Sequence, residues 1–160
     1  MFGFLKRQKD VEIYSPVSGK IIDLDEVPDP VFAQRLVGDG IAVQPEDGTI
    51  VSPVNGEVVQ LFPTLHAVGI KSTEGLEVLI HIGIDTVELK GGGFTALAKQ
   101  GDTVSVGTPL VKVDIDKVKE AGKSMITPVI LTNGDVIQSV EKKNGTVKAG
   151  IDPVMIVILK

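Results

Sequence analysis

The chain of 160 residues has no cysteine, no tryptophan, one tyrosine and two histidines. Without cysteine there is no disulfide, no thiolate zinc site and no thiol nucleophile. Basic residues are outnumbered, with 16 Lys and Arg against 21 Asp and Glu and a net charge of −5. That balance argues against a nucleic-acid footprint. Long apolar runs are also missing. None approaches the roughly 20 residues that span a bilayer. The opening Met1-Phe2-Gly3-Phe4-Leu5 is too short for a signal peptide, and its charges follow the apolar run instead of preceding it. We therefore expect a cytoplasmic protein with no stable membrane insertion. Hydrophobic residues make up 42% of the chain, enough to fold it. Residues 1–11 are expected as a flexible tail and 12–160 as a single domain. So few reactive side-chain types leave His66 and His81 as the groups suited to chemistry near pH 7.

What is abundant is short apolar segments rich in Val and Ile, such as Gly40-Ile41-Ala42-Val43 and Val154 to Leu159, divided by turn residues. The 18 Gly and 9 Pro supply those turns. Helical periodicity is confined to Pro30–Val37 and to Asp116–Ala121, where Gly122 ends it. An internal repeat matches Ser15-Pro16-Val17-Ser18-Gly19-Lys20-Ile21-Ile22 to Ser52-Pro53-Val54-Asn55-Gly56-Glu57-Val58-Val59. A looser pair relates Val104–Val111 to Val147–Val154. Together these patterns predict an all-β fold: an antiparallel β-sandwich or partly closed barrel from a duplicated hybrid motif, with short helical turns.

Two β-rich runs, Thr64–Lys71 and Leu76–Asp85, flank the polar stretch Ser72-Thr73-Glu74-Gly75 and read as an antiparallel hairpin. Alternation puts Leu76, Val78, Ile80, Ile82 and Ile84 on one face, the core, and Glu77, Leu79, His81, Gly83 and Asp85 on the other. An even loop centred between Thr73 and Glu74 pairs His66 directly with His81, Thr64 with Gly83 and Phe62 with Asp85. The two histidine Cβ atoms would then stand about 4.5–5.5 Å apart. An odd loop would slip the register and set the imidazoles on opposite faces.

A histidine pair on a partly apolar shelf suits two chemistries. One is covalent phosphoryl transfer, in which one neutral imidazole is the nucleophile and the other hydrogen-bonds the phosphoryl group. The Thr64 hydroxyl would then fix the second ring's tautomer, and Gly83 would leave room for a partner. The other is a zinc site with His66, His81 and Asp85 as ligands. Periodicity alone does not separate them.

The segment Gly75-Leu76-Glu77-Val78-Leu79-Ile80-His81-Ile82-Gly83-Ile84-Asp85-Thr86-Val87 resembles the signature of the glucose-type enzyme IIA family of the bacterial phosphoenolpyruvate-dependent sugar phosphotransferase system. Further likeness lies in Val27-Pro28-Asp29-Pro30-Val31-Phe32, Gly38-Asp39-Gly40-Ile41-Ala42, Phe62-Pro63-Thr64-Leu65-His66-Ala67 and Gly91-Gly92-Gly93-Phe94, and it extends from about Glu12 to Lys160. The resemblance implies that His81 is phosphorylated through Nε2, that His66 stabilises the phosphoryl group, and that Thr64 orients His66. It implies acidic rim residues at Asp29 and Asp85, and an apolar docking surface of Val31, Phe32, Leu36, Val37, Phe62, Leu79 and Val87. The donor would be the phosphocarrier protein HPr and the acceptor a cysteine on a IIB domain of a sugar permease. No cofactor and no metal are implied. Leu79 departs from the pattern, standing where other members can carry Phe.

Two further readings stand beside this one. The first is a regulatory binding module that is never phosphorylated. The second is a biotinyl or lipoyl carrier, suggested by Gly101–Leu110, although Asp116-Lys117-Val118 is the nearest approach to an attachment turn and falls in a predicted helix.

Overall fold

A computed structural model describes residues 9–160. The chain runs through β1 (Lys9–Tyr14) and β2 (Gly19–Ile22), then a 3-10 turn at Leu24–Glu26 and the single-turn α1 (Pro30–Ala33). Next come β3 (Asp39–Pro45), β4 (Thr49–Val51), β5 (Gly56–Leu61), β6 (Ala67–Ser72) and β7 (Glu77–His81). A 3-10 turn at Thr86–Leu89 leads to β8 (Phe94–Ala96), β9 (Thr103–Val104), β10 (Pro109–Val113) and α2 (Ile115–Glu120). The last strands are β11 (Thr127–Leu131), β12 (Ile137–Lys142), β13 (Thr146–Val147) and β14 (Pro153–Leu159).

These strands form three antiparallel sheets: one of eight strands in the order β13-β2-β3-β11-β7-β6-β5-β9, and two of three, β1-β14-β12 and β4-β10-β8. The end strands β13 and β9 do not pair, so the all-β expectation resolves to an open sandwich and not a closed barrel. β1 begins at Lys9 and pairs Val11 with Val157, and Val11 is buried. Residues 9–11 therefore belong to a sheet, which corrects the expected 1–11 tail at its end. Alternating apolar residues (Val11, Ile13) give this stretch a face to bury. The rest of that expectation lies outside the described residues.

The repeat is structural. In each copy the serine hydroxyl turns back on the chain: Ser15 Oγ donates to the Val17 carbonyl at 2.6 Å and Ser52 Oγ to the Val54 carbonyl at 2.7 Å. The copies also bind each other. Tyr14 N–H donates to the Pro53 carbonyl and Val51 N–H to the Pro16 carbonyl, at 2.9 and 2.7 Å. The looser repeat obeys the same near two-fold relation, with Gly150 N–H on the Ser15 carbonyl and Gly107 N–H on the Ser52 carbonyl, both at 2.9 Å.

The main core packs inside the sandwich, with Ile13, Ile50, Ile70, Ile80, Leu110 and Met155 among its buried members. A second, smaller cluster, built from Leu24, Val27, Phe32, Ala42, Ile84 and Ile130, underlies the region of the histidines. Its existence revises the alternation along β7. Leu76, Val78, Ile80 and Ile82 enter the main core as expected, but Ile84 belongs to the second cluster together with Leu79, from the opposite face. The break falls at Gly83, whose φ of +78° ends the extended backbone.

Of the expected helix Pro30–Val37 only Pro30–Ala33 forms. Asp29 caps it and Pro30 suits its first turn, but Arg35 at φ +58° turns the chain out of it. α2 fits its expectation: Asp114 accepts from Lys117 N–H at its start, and Gly122 lies at φ +80° just past its end.

The two glycines of the Ser-Pro-Val-x-Gly repeat allow close strand approach. A Cβ on Gly56 would stand 2.1 Å from the Lys71 carbonyl oxygen, and one on Gly19 2.1 Å from that of Gln44. Gly56→Ala should lower unfolding free energy by about 2–3 kcal/mol as overpacking against rigid backbone. Gly134→Ala, with open space around it, should stay within about 0.5 kcal/mol. Urea denaturation of both variants checks the contrast.

Candidate active site

The register of the β6–β7 hairpin decides where the histidines lie. The ladder pairs Ala67 with His81, Val68 with Ile80, Gly69 with Leu79 and Ile70 with Val78, one residue away from the expected pairing. The loop is odd. Ser72 N–H donates to the Leu76 carbonyl, and Thr73-Glu74-Gly75 close a three-residue turn with Gly75 at φ +98°. Opposite-face imidazoles would follow if His66 were in the strand. It is not: β6 starts at Ala67. Leu65, at φ +60°, reorients the chain just before His66. The His66 carbonyl still accepts from Ile82 N–H at 2.7 Å, while its ring turns toward His81. The two ring centroids are 5.2 Å apart with planes at 76°. The expected juxtaposition thus arises by a different route. Thr64 is not opposite Gly83 but in the turn before β6, and Asp85 is not opposite Phe62 but in a left-handed turn at φ +60°.

Hydrogen bonds fix the nitrogens. The Gly83 carbonyl lies 2.7 Å from His81 Nδ1. A carbonyl only accepts, so Nδ1 carries the proton and Nε2 keeps its lone pair in the neutral ring. The Thr64 hydroxyl bonds His66 Nδ1. With the hydroxyl as donor, His66 presents an N–H at Nε2. One ring therefore offers a lone pair and the other can offer a proton. Phe32 packs on His81 at 4.8 Å between centroids, and Phe62 meets His66 edge-on at 5.2 Å.

These surroundings tune both rings. Burial lowers the His66 pKa, and the neighbouring His81 lowers it further. Burial also lowers that of His81, outweighing the Gly83 carbonyl and the carboxylates of Asp29 and Asp85, which favour the cation. Asp29 spends one oxygen on the Val31 N–H at 2.9 Å, whereas Asp85 makes no capping bond at its turn. No three His, Cys, Asp or Glu side chains converge as metal ligands among the described residues.

Several supporting groups escape a reading by alternation. The Gly83–Ile84 peptide is anchored from outside the hairpin, with Ile84 N–H donating to the Ser124 carbonyl at 2.9 Å. The buried Thr86 hydroxyl donates to the Ile82 carbonyl at 2.5 Å. Gly83 was expected to make room for a partner, but a Cβ there would lie 2.6 Å from Thr86 Cγ2 and 2.8 Å from the Ser124 oxygen. The glycine is needed by its own turn. Only its place after an alternating run hinted at this, and nothing marked Ser124 or Leu65.

Residues 11–137 match the family model described as phosphoenolpyruvate-dependent sugar phosphotransferase system, EIIA 1. The chain belongs to this EIIA family. It is 50% identical to the PTS system glucose-specific EIIA component of Halalkalibacterium halodurans over 158 residues, covering 94% of this chain and 91% of that protein. It is 44% identical to the protein of the same name from Bacillus anthracis, covering all of this chain and 98% of the relative. Among solved structures, the glucose permease IIA from Mycoplasma capricolum superposes with a TM-score of 0.87 at 41% identity, covering 98% and 99% of the two chains. The protein is thus a phosphotransferase-system component acting in sugar transport.

The apolar residues expected at the surface of the EIIA chain differ in exposure. Val31, Leu36, Val37 and Val87 are exposed, Leu36 at 68%, while Phe62 and Leu79 are half-buried. Phe32 departs from the docking set expected of it. It is only 5% exposed, because its ring fills the second cluster and backs His81.

Both depressed imidazole pKa values make folding pH-dependent. The unfolded EIIA chain binds more protons once pH falls below the ordinary value of about 6.5. The full contribution is therefore present above that pH and is lost as pH falls through the lower folded-state values. Denaturation midpoints followed from pH 7.5 to pH 5 should fall less steeply in His66→Gln and in His81→Gln than in the parent.

Proposed function

We propose that the chain is the phosphocarrier of a sugar phosphotransferase system, taking a phosphoryl group from phospho-HPr on His81 and passing it to a IIB-domain cysteine. The observation that carries this reading is the hydrogen bond from His81 Nδ1 to the Gly83 carbonyl, which leaves Nε2 as the free nucleophile. Burial keeps the ring neutral at neutral pH, as attack requires.

In the first step Nε2 bonds phosphorus while the N–P bond of phosphohistidine on HPr breaks, its electron pair returning to the HPr nitrogen. The His81 ring gains positive charge as the new bond forms, and the Gly83 carbonyl stabilises that charge at Nδ1–H. His66 donates from Nε2 to a phosphoryl oxygen, with Thr64 setting its tautomer. In the second step a IIB thiolate attacks phosphorus and the Nε2–P bond breaks, its pair returning to the ring. No cysteine in this chain competes for the group.

Docking would use the exposed Val31, Leu36, Val37 and Val87 with the half-buried Phe62 and Leu79, rimmed by Asp29 and Asp85. Residues 12–160 would act as one IIA domain in the cytoplasm. No helix among the described residues is long and apolar enough to cross a membrane. Glucose is the first sugar to test, given the names of the relatives.

Incubation with phosphoenolpyruvate, enzyme I and HPr should place an acid-labile, base-stable phosphate on His81. His81→Gln should abolish it. His66→Gln should still accept phosphate but pass it to IIB about a hundredfold more slowly. A parent chain that stays unlabelled would overturn the reading.

A further inference from the structure

Phe32 packs on His81 with ring planes 56° apart, yet it sits in a stretch with little regular secondary structure. Between β2 and β3 there is one 3-10 turn and one turn of helix. The second cluster buries its Leu24, Val27 and Phe32, and on the polar side a single guanidinium ties the stretch together. Arg35 bonds Asp25 at 2.7 Å and Asp39 at 3.2 Å, lies 3.5 Å from Asp23, and donates to the Ala33 carbonyl at 3.1 Å. Asp23 and Asp25 flank and form the 3-10 turn, Ala33 ends α1, and Asp39 opens β3. Lys142 reaches Asp39 from β12 at 2.7 Å.

An exposed ion pair by itself contributes little. Here one cation serves three carboxylates and a carbonyl, whereas Lys142 pairs with only one of the three acids, Asp39. Arg35 also adopts its left-handed backbone at φ +58°, which aims the side chain back across the turn. Burial alone would raise the Asp39 carboxyl. Lys142, the Gly40 N–H and Arg35 instead hold it below its usual value, so Asp39 is charged at neutral pH.

We propose that Arg35 is a positioning residue for phosphoryl transfer: it clamps the stretch from Asp23 to Asp39 so that Phe32 stays packed on His81. This rests on His81 as the phosphoryl acceptor. Arg35 does not touch the imidazole. It acts through Phe32, whose backbone carbonyl also accepts from Arg35 N–H at 3.0 Å. The charged and titratable groups facing His81 are Asp29, Asp85 and His66; Asp29 lies in the clamped stretch, but none of the three pairs with Arg35.

Arg35→Met, Arg35→Lys and Asp25→Asn test this by two readouts. One is the histidine ring 15N and 1H spectrum across pH, recorded without any phosphoryl donor. The other is the rate of phosphoryl acceptance from phospho-HPr. In Arg35→Met the His81 ring protons should lose the shift imposed by the Phe32 ring, its pKa should rise toward the ordinary value, and acceptance should slow about ten- to a hundredfold. Arg35→Lys should recover part of both. Asp25→Asn keeps the guanidinium and should show smaller changes of the same sign, which covers the case of an unfolded Arg35→Met. Unchanged His81 resonances and rate in the folded variants would overturn the proposal, even if thermal stability falls. A parent chain that takes no phosphate would overturn the phosphocarrier reading, while the spectra would still report whether Arg35 positions the ring.

Discussion

The peptide unit joining Gly83 to Ile84 is held at both ends. Its carbonyl receives the His81 Nδ1 proton, and its N–H is bound by the Ser124 carbonyl. Because that plane cannot rotate, the tautomer of His81 is set by backbone and not by a mobile side chain. A carboxylate in the same place would be a stronger acceptor, but it would stabilise the imidazolium over the neutral ring. A neutral carbonyl orients the ring and leaves its charge to be decided by burial. The left-handed turn at Gly83 makes this geometry possible, and close packing on Thr86 and Ser124 keeps the position a glycine.

The surroundings of the pair divide the labour. Thr64 handles one ring, Gly83 the other, and an aromatic ring backs each. The two imidazoles differ in chemistry because their Nδ1 partners differ. A hydroxyl can donate and a carbonyl cannot. The carboxylates of Asp29 and Asp85 act on His81 at longer range, favouring its charged form without overcoming its desolvation.

Much of this was legible in advance, and the exceptions have physical reasons. The strand-rich composition, the duplicated Ser-Pro-Val-x-Gly turns and the inward face from Leu76 to Ile82 followed from periodicity and turn chemistry. So did the restriction of chemistry to two histidines, and the family was recognisable from motifs around them. The hairpin register was not. A Gly75 able to take positive φ permits a three-residue loop, and a four-residue polar stretch does not by itself distinguish that from an even one. The expected neighbourhood of His66 and His81 was reached by a wrong pairing, which a left-handed Leu65 compensates. Strand alternation has no means of anticipating a non-glycine residue in that conformation. The family resemblance puts Phe32 on the docking surface, and one turn of helix looks alike from either side. Only the second cluster shows which way its ring faces.

The duplication has a consequence for how the site is assembled. β2 with β3 and β5 with β6 are corresponding hairpins, opened by the same serine turn. In one copy the connection between the strands is a brief turn that delivers Thr64 and His66. In the other it is a long excursion that delivers Asp29, Phe32 and the Arg35 clamp. Both connections converge on His81, so the site is a seam between the two copies and neither contains it whole. The two connections differ in length while the ladders beneath both remain antiparallel and paired. The His81 ring is held by the end of β7 and the turn that follows it, and the groups that surround it come from two connections of unequal length.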